Sequence, residues 1–173
     1  MNRRPEPKNP KSCHDRALGL LAVRPRSRRE LERRLLQARF EPDEVCDVLG
    51  RLERVGLIDD QAFARQYAEQ RFGSRREGRR AVVSGLRAAG ISPELAEETA
   101  EAAPDDEEAR ADTLALARAG RLAGVEAPKA FARLTSLLVR RGYSPEIARG
   151  AARRALNLKA GGDRRLVAGR RPP

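Results

Sequence analysis

With 173 residues, of which 40 % are hydrophobic and 35 % charged, the chain can bury a core, but only a thin one. Aromatic residues make up 3 %, and Ala, Leu, Arg and Glu outnumber the β-branched types, which favours an all-helical protein of small bundles over one large globule. A net charge of +11 directs attention to a polyanion or an acidic protein surface as partner.

Residues 1–12 are rich in Pro, Asn and Lys and read, with the two that follow, as a disordered arm. A first helix is predicted from Asp15 to Val23, with Ala17, Leu18, Leu21 and Ala22 inward, and Pro25 ends it. Ser27 and Glu30 form a capping box for the second, which carries Leu31, Leu35 and Leu36 inward. The third starts near Pro42 and runs to Val55, burying Val45, Val48, Leu49 and Leu52. Gly56 closes it, and Asp59 or Asp60 opens the fourth, where Phe63, Ala64, Tyr67, Ala68 and Arg71 share one face. A fifth is predicted over 76–89, and a sixth from Ser92-Pro93-Glu94 to about residue 103. The seventh runs from Asp105 to near Arg121, the eighth from Ala127 to Arg141, and the ninth from Ser144-Pro145-Glu146 to near Asn157. Residues 159–173 read as a basic, disordered tail.

An internal repeat orders these helices. Phe40-Glu41-Pro42-Asp43, Ile91-Ser92-Pro93-Glu94 and Tyr143-Ser144-Pro145-Glu146 are one element recurring at intervals of 51 and 52 residues. Leu35, Leu86 and Leu138 precede the apolar anchors by five residues, and Leu31, Val82 and Leu134 precede them by nine. Matching spacing on both sides indicates a true repeat. The expected fold is all-α: three tandem three-helix repeats over 15–57, 58–104 and 105–158, forming an elongated modular molecule.

Charge is unevenly spread, with residues 1–86 at +7, 87–139 at −4 and 140–173 at +8. Basic ends around an acidic middle suit a protein that touches both a nucleic acid and a protein, and they equally suit solvated helix faces. The basic residues are 32 Arg and 4 Lys; Ala, Gly and Pro are also plentiful, so a GC-rich coding sequence accounts for the preference. Cys13 and Cys46 lie far apart with a single histidine, His14, so no disulfide or zinc framework is expected. Pro5, Pro7 and Pro10 interrupt any leader, and the stretch from Leu18 to Val23 is too short to span a bilayer; the chain is expected in the cytoplasm.

No catalytic constellation, phosphate loop or dinucleotide fingerprint is present, so neither an enzyme nor a cofactor is expected. The acids at 59–60 and 105–108 open helices, where the macrodipole accounts for them without a metal. The arginines are the candidate contacts, in three sets: Arg28, Arg29, Arg33 and Arg34; Arg75, Arg76, Arg79 and Arg80, read as one helical face; and Arg140, Arg141, Arg149, Arg153 and Arg154. Such patches could follow a phosphate backbone or a repeating filament, or could be paired with neighbours such as Glu30, Glu32 and Glu77. Four Phe and two Tyr, mostly at core positions, leave few rings to stack on bases, so nucleic-acid contact would be with phosphates.

The chain resembles the RecX family over about residues 15–157. Three motifs carry the resemblance: Arg26-Ser27 with Glu30-Leu31 and Leu35; Gly56-Leu57-Ile58-Asp59-Asp60 followed by Phe63-Ala64, Tyr67 and Arg71; and Arg140-Arg141-Gly142-Tyr143. The family's Glu-Leu and Lys-Gly pairs in the fifth helix read here Gly85-Leu86 and Ala89-Gly90, and a helical Gly costs about 1 kcal/mol against Ala. The resemblance implies tandem three-helix modules and a regulator that lies in the groove of the RecA–single-stranded-DNA filament. It would limit filament growth, strand exchange, ATP hydrolysis and the coprotease activity behind the SOS response. A monomer with RecA as main partner and DNA phosphates as secondary contacts is expected. A helical DNA- or RNA-binding protein, acting in transcription or on the ribosome, is the alternative.

Overall fold

The computed structural model describes residues 12–103 and 106–167, the side chains of 157–167 excepted. Among the described residues the chain is helical without strands: α1 (Cys13–Val23), α2 (Arg28–Gln37), α3 (Pro42–Arg54), α4 (Asp60–Gly73), α5 (Arg79–Ala88), α6 (Pro93–Glu101), α7 (Glu107–Ala119), a 3₁₀ turn (Gly120–Leu122), α8 (Ala127–Arg140) and α9 (Pro145–Val167).

The repeat has a backbone signature. The N–H groups of Phe40, Ile91 and Tyr143 donate to the carbonyls of Leu35, Leu86 and Leu138 at 3.3, 3.1 and 3.2 Å. The residue before each anchor, Arg39, Gly90 or Gly142, has φ of +67°, +92° or +91° and donates to the carbonyl three residues back at 2.9 Å. This is one helix C-cap made three times, and it turns the chain so that the anchor folds back over its own helix. Glycine meets the left-handed requirement twice; Arg39 meets it against a steric cost of about 1–2 kcal/mol.

The chain divides into two compact units, Met1–Tyr67 with Gly85–Thr99, and Ala68–Ser84 with Ala100–Pro173, so the division passes within α4, α5 and α6. In the first unit Cys13, Ala17, Leu31, Leu35, Val45, Leu49, Leu52 and Ile58 form a core that α1–α3 close over. In the second, Ala111, Leu114, Ala115, Leu134, Leu138, Tyr143, Ala148, Ala151 and Ala152 form another. Each fully buried Leu contributes about 1.5–3 kcal/mol, and alanines fill much of the remaining interior, as the low aromatic content requires.

Several expectations are corrected. Ser12 caps α1 by accepting the Asp15 N–H at 3.1 Å, so Cys13 is fully buried and His14 lies exposed on a helix rather than in the arm. Leu36 is 41 % exposed and Ala22 is exposed, because Leu35 and Ala17 hold the inward directions of their helices. α5 begins at Arg79, so Arg75 and Arg76 stand in the preceding loop. α9 continues past Asn157 to Val167: once a helix is nucleated on a packed core, each further residue adds a hydrogen bond without a new nucleation cost. The remainder of the expected tail, like most of the N-terminal arm, lies outside the described residues.

Gly85 also acquires a reason. A Cβ there would stand 2.0 Å from the Tyr67 phenol oxygen, so the missing side chain makes room for that ring against α5.

Candidate functional site

In the first unit the α2 N-terminus organises the charges. Ser27 accepts the Glu30 N–H at 3.1 Å, which is one half of the predicted capping box. The other half does not form, because the Glu30 carboxylate turns to Arg24 at 2.6 Å, Arg34 at 3.1 Å and the buried Arg26, while the Ser27 hydroxyl donates to the Ala89 carbonyl. Burial alone would raise the Glu30 pKa; the hydrogen bonds and charges of these arginines outweigh it and hold the group below the usual carboxylate range. Asp59 caps α4 through the Ala62 N–H at 2.9 Å, and Asp60 reaches the Arg28 N–H at 2.8 Å. Burial pushes the Asp60 pKa up against that hydrogen bond.

Of the first arginine set, Arg28 pairs with Glu53 at 2.9 Å and Arg34 with Glu30. Arg29 and Arg33 line a cleft of about 720 Å³ with Leu36, Gln37, Glu32 and Arg87, and Arg87 is itself paired with Glu97 at 3.1 Å. This cleft is mixed in charge, with an exposed apolar side chain at its edge.

In the second unit the other two sets are redistributed. Arg75 and Arg76 do not share a helical face with Arg79 and Arg80. Arg76 has φ +48°, and its carbonyl accepts the hydroxyl of buried Tyr143 at 2.7 Å, while Glu107 accepts the Arg79 N–H at 2.8 Å where α5 begins. A distant tyrosine and a distant carboxylate thus keep the helix from starting earlier. Burial raises the Tyr143 pKa, so the phenol remains a donor at neutral pH.

Arg141 leaves the third set to join Arg75 and Arg76. Together with Arg118, which the sequence reading did not single out, they line a cleft of about 580 Å³ with Ser74, Glu77 and Leu114. Arg149, Arg153 and Arg154 line a separate cleft of about 570 Å³ with Glu108 and Glu146, and Arg154 forks onto Asp112 through Nε at 3.0 Å and Nη2 at 2.8 Å. Arg80 and Arg140 are exposed outside these clefts. The arrangement can hold anions by charge and by forked hydrogen bonds.

Comparison with known proteins fixes the ancestry of this architecture. The model of the RecX first three-helix domain matches residues 13–52, and that of the second matches residues 59–99. A regulatory protein RecX of Amycolatopsis mediterranei is 33 % identical over 139 residues, covering 80 % of this chain and 79 % of that protein. One of Mycolicibacterium smegmatis is 38 % identical over 136 residues, covering 76 % and 72 %. The chain belongs to the RecX family. The crystal structure of RecX from Lactobacillus salivarius superposes with a TM-score of 0.73 at 22 % identity, covering 83 % of this chain and 94 % of that one, and so shares the fold. The first RecX domain model opens at the residue where α1 opens, and the second spans α4 to α6. Among the described residues no helix is long and apolar enough to cross a membrane.

Proposed function

We propose that this RecX-family chain regulates the RecA recombinase by binding the RecA–single-stranded-DNA filament and restraining its growth. Strand exchange, ATP hydrolysis and the coprotease activity that drives the SOS response would fall together, because all three need the filament. The observation that carries the reading is membership of a family whose relatives are named regulatory proteins, and clefts lined by arginine in both units support it. The mixed cleft of the first unit suits a protein surface, and the arginine cleft of the second suits an anion. In this reading the protein acts as a cytoplasmic monomer, with RecA as main partner and DNA phosphates as secondary contacts, and performs no chemistry of its own.

The test is RecA-catalysed ATP hydrolysis on single-stranded DNA, with this protein titrated far below the RecA concentration. A lowered rate at substoichiometric amounts supports filament regulation. A rate that moves only when the protein can coat the DNA reduces it to a general nucleic-acid binder.

A further inference from the structure

We propose that the cleft formed by the α4–α5 loop, α7 and the end of α8 in the second unit binds the phosphodiester backbone of a single-stranded nucleic acid. Arg75, Arg76, Arg118 and Arg141 are its ligands and Tyr143 is its positioning residue. The proposal rests on the reading that the protein works on a filament carrying single-stranded DNA, and adds to it a ligand chemistry and a set of residues.

Convergence is the first argument. Four arginines from three separate elements line one cleft. Its one carboxylate, Glu77, is engaged by Arg71, whose Nη1 donates to both oxygens at 3.0 and 3.2 Å. Among the described residues none of the four cleft arginines has an ion-pair partner. The two other clefts are more neutralised: one holds Glu30 and Glu32 with Arg87 paired to Glu97, and the other holds Glu108 and Glu146 with Arg154 paired to Asp112.

Preorganisation is the second. Arg76 occupies a left-handed conformation at φ +48°, unfavourable for a side chain of its kind, and is held there by the Tyr143 hydroxyl on its carbonyl. Arg141 Nη1 donates to the Arg75 carbonyl at 3.1 Å, and the Arg141 carbonyl accepts the Gly78 N–H at 2.8 Å, so loop and turn fix each other. Backbone strain held by a buried side chain sets the direction of the adjacent arginines before any ligand arrives.

Lining chemistry selects the ligand. Among the described residues no aromatic ring lines the cleft to stack on a base, and Leu114, the one large apolar side chain there, is 95 % buried and gives an acidic peptide no anchor. A forked guanidinium matches the tetrahedral oxygens of a phosphodiester, which any base sequence presents.

The experiment is fluorescence anisotropy of a short labelled dT oligonucleotide with the full chain, without RecA, across a salt series. Arg75→Gln with Arg118→Gln should weaken binding and shrink the slope of log K against log salt by about 1.4, about 0.7 per lost phosphate contact. Arg121→Gln with Arg133→Gln, which removes equal charge outside the cleft, should leave the slope unchanged. Tyr143→Phe should lower affinity while keeping most of the slope, since the charges remain and only their placement is lost. An unchanged slope in the cleft variant, or an equal drop in the control variant, overturns the proposal. So does a polyglutamate peptide that competes as well as the oligonucleotide at equal charge. RecA ATPase measured in parallel separates the two readings. Retained regulation with an unchanged slope overturns the cleft alone, whereas cleft-dependent oligonucleotide binding with RecA unaffected supports the cleft and overturns the filament reading.

Discussion

Gly142→Ala is the most informative single change to the second unit. A Cβ at this position would stand 2.4 Å from both the Cβ and the backbone N of Ala81 and 2.8 Å from its Cα, and the backbone φ is +91°. Two penalties combine: about 1–2 kcal/mol for an L side chain in the left-handed region, and about 1–3 kcal/mol for overlap that the packed backbone of α5 cannot relieve by a rotamer change. Gly124 separates them, because it has φ +82° in the same unit but nothing within 4 Å of its would-be Cβ. Gly124→Ala should therefore cost about 1–2 kcal/mol, and Gly142→Ala about 2–5 kcal/mol, a large part of a total stability of about 5–15 kcal/mol. Urea unfolding followed by far-UV circular dichroism reads the difference as a shift in midpoint at constant m-value. Ala81→Gly should not rescue Gly142→Ala, since the N and Cα of residue 81 remain in contact. Equal losses at 142 and 124 would refute the reasoning, for they would mean that α5 backs away from the turn at no cost.

Arg39→Gly should stabilise the chain by about 1 kcal/mol in the same assay, because it relieves the one repeat C-cap that lacks glycine. Glu30 has a folded pKa below its unfolded value, so the stability it contributes is present at neutral pH and is lost as pH falls through the folded value; Glu30→Gln should flatten the acid limb of a stability–pH profile. Asp60, with a raised pKa, has the opposite sign, and Asp60→Asn should steepen that limb. Burial pushes the Cys13 thiol up to about 11 while Cys46 is exposed, so iodoacetamide at mildly alkaline pH should modify Cys46 alone in the native protein and both thiols in urea.

The repeat was legible in the sequence because its markers are local: an apolar anchor, a cap, a proline and leucines at fixed distances before it. The same locality hid the arginine cleft of the second unit. Arg75 and Arg76 sit among strong helix formers, and what holds Arg76 at φ +48° is a hydroxyl 67 residues along the chain. Arg118 lies in the segment of net charge −4, so summing charge by segment concealed an arginine that packing places beside three others. Their place at helix starts lets the macrodipole account for the acids at 60 and 107, whereas each accepts an N–H from the start of a different helix. Glu30 stands four residues from both Arg26 and Arg34, a spacing visible in the sequence, yet the capping-box pattern at Ser27 suggested another use for its carboxylate.

Equivalent repeat positions carry different charges in the two units. Arg28 and Arg79 are equivalent, 51 residues apart, and their N–H groups donate to Asp60 and Glu107 at the same distance, 2.8 Å. By that register Arg24 corresponds to Arg75, and Glu30 to Ala81. In the first unit the carboxylate of Glu30 gathers Arg24, Arg26 and Arg34 into a structural network. In the second, residue 81 is an alanine whose Cβ and backbone lie close against Gly142, and it carries no carboxylate. Among the described residues Arg75 and Arg76 form no ion pair, whereas Arg24, the first-unit counterpart of Arg75, belongs to the Glu30 network. By the same register Arg26 corresponds to Glu77, so the acid stands at a different repeat position in the second copy and is held there by Arg71 rather than by Arg75 or Arg76.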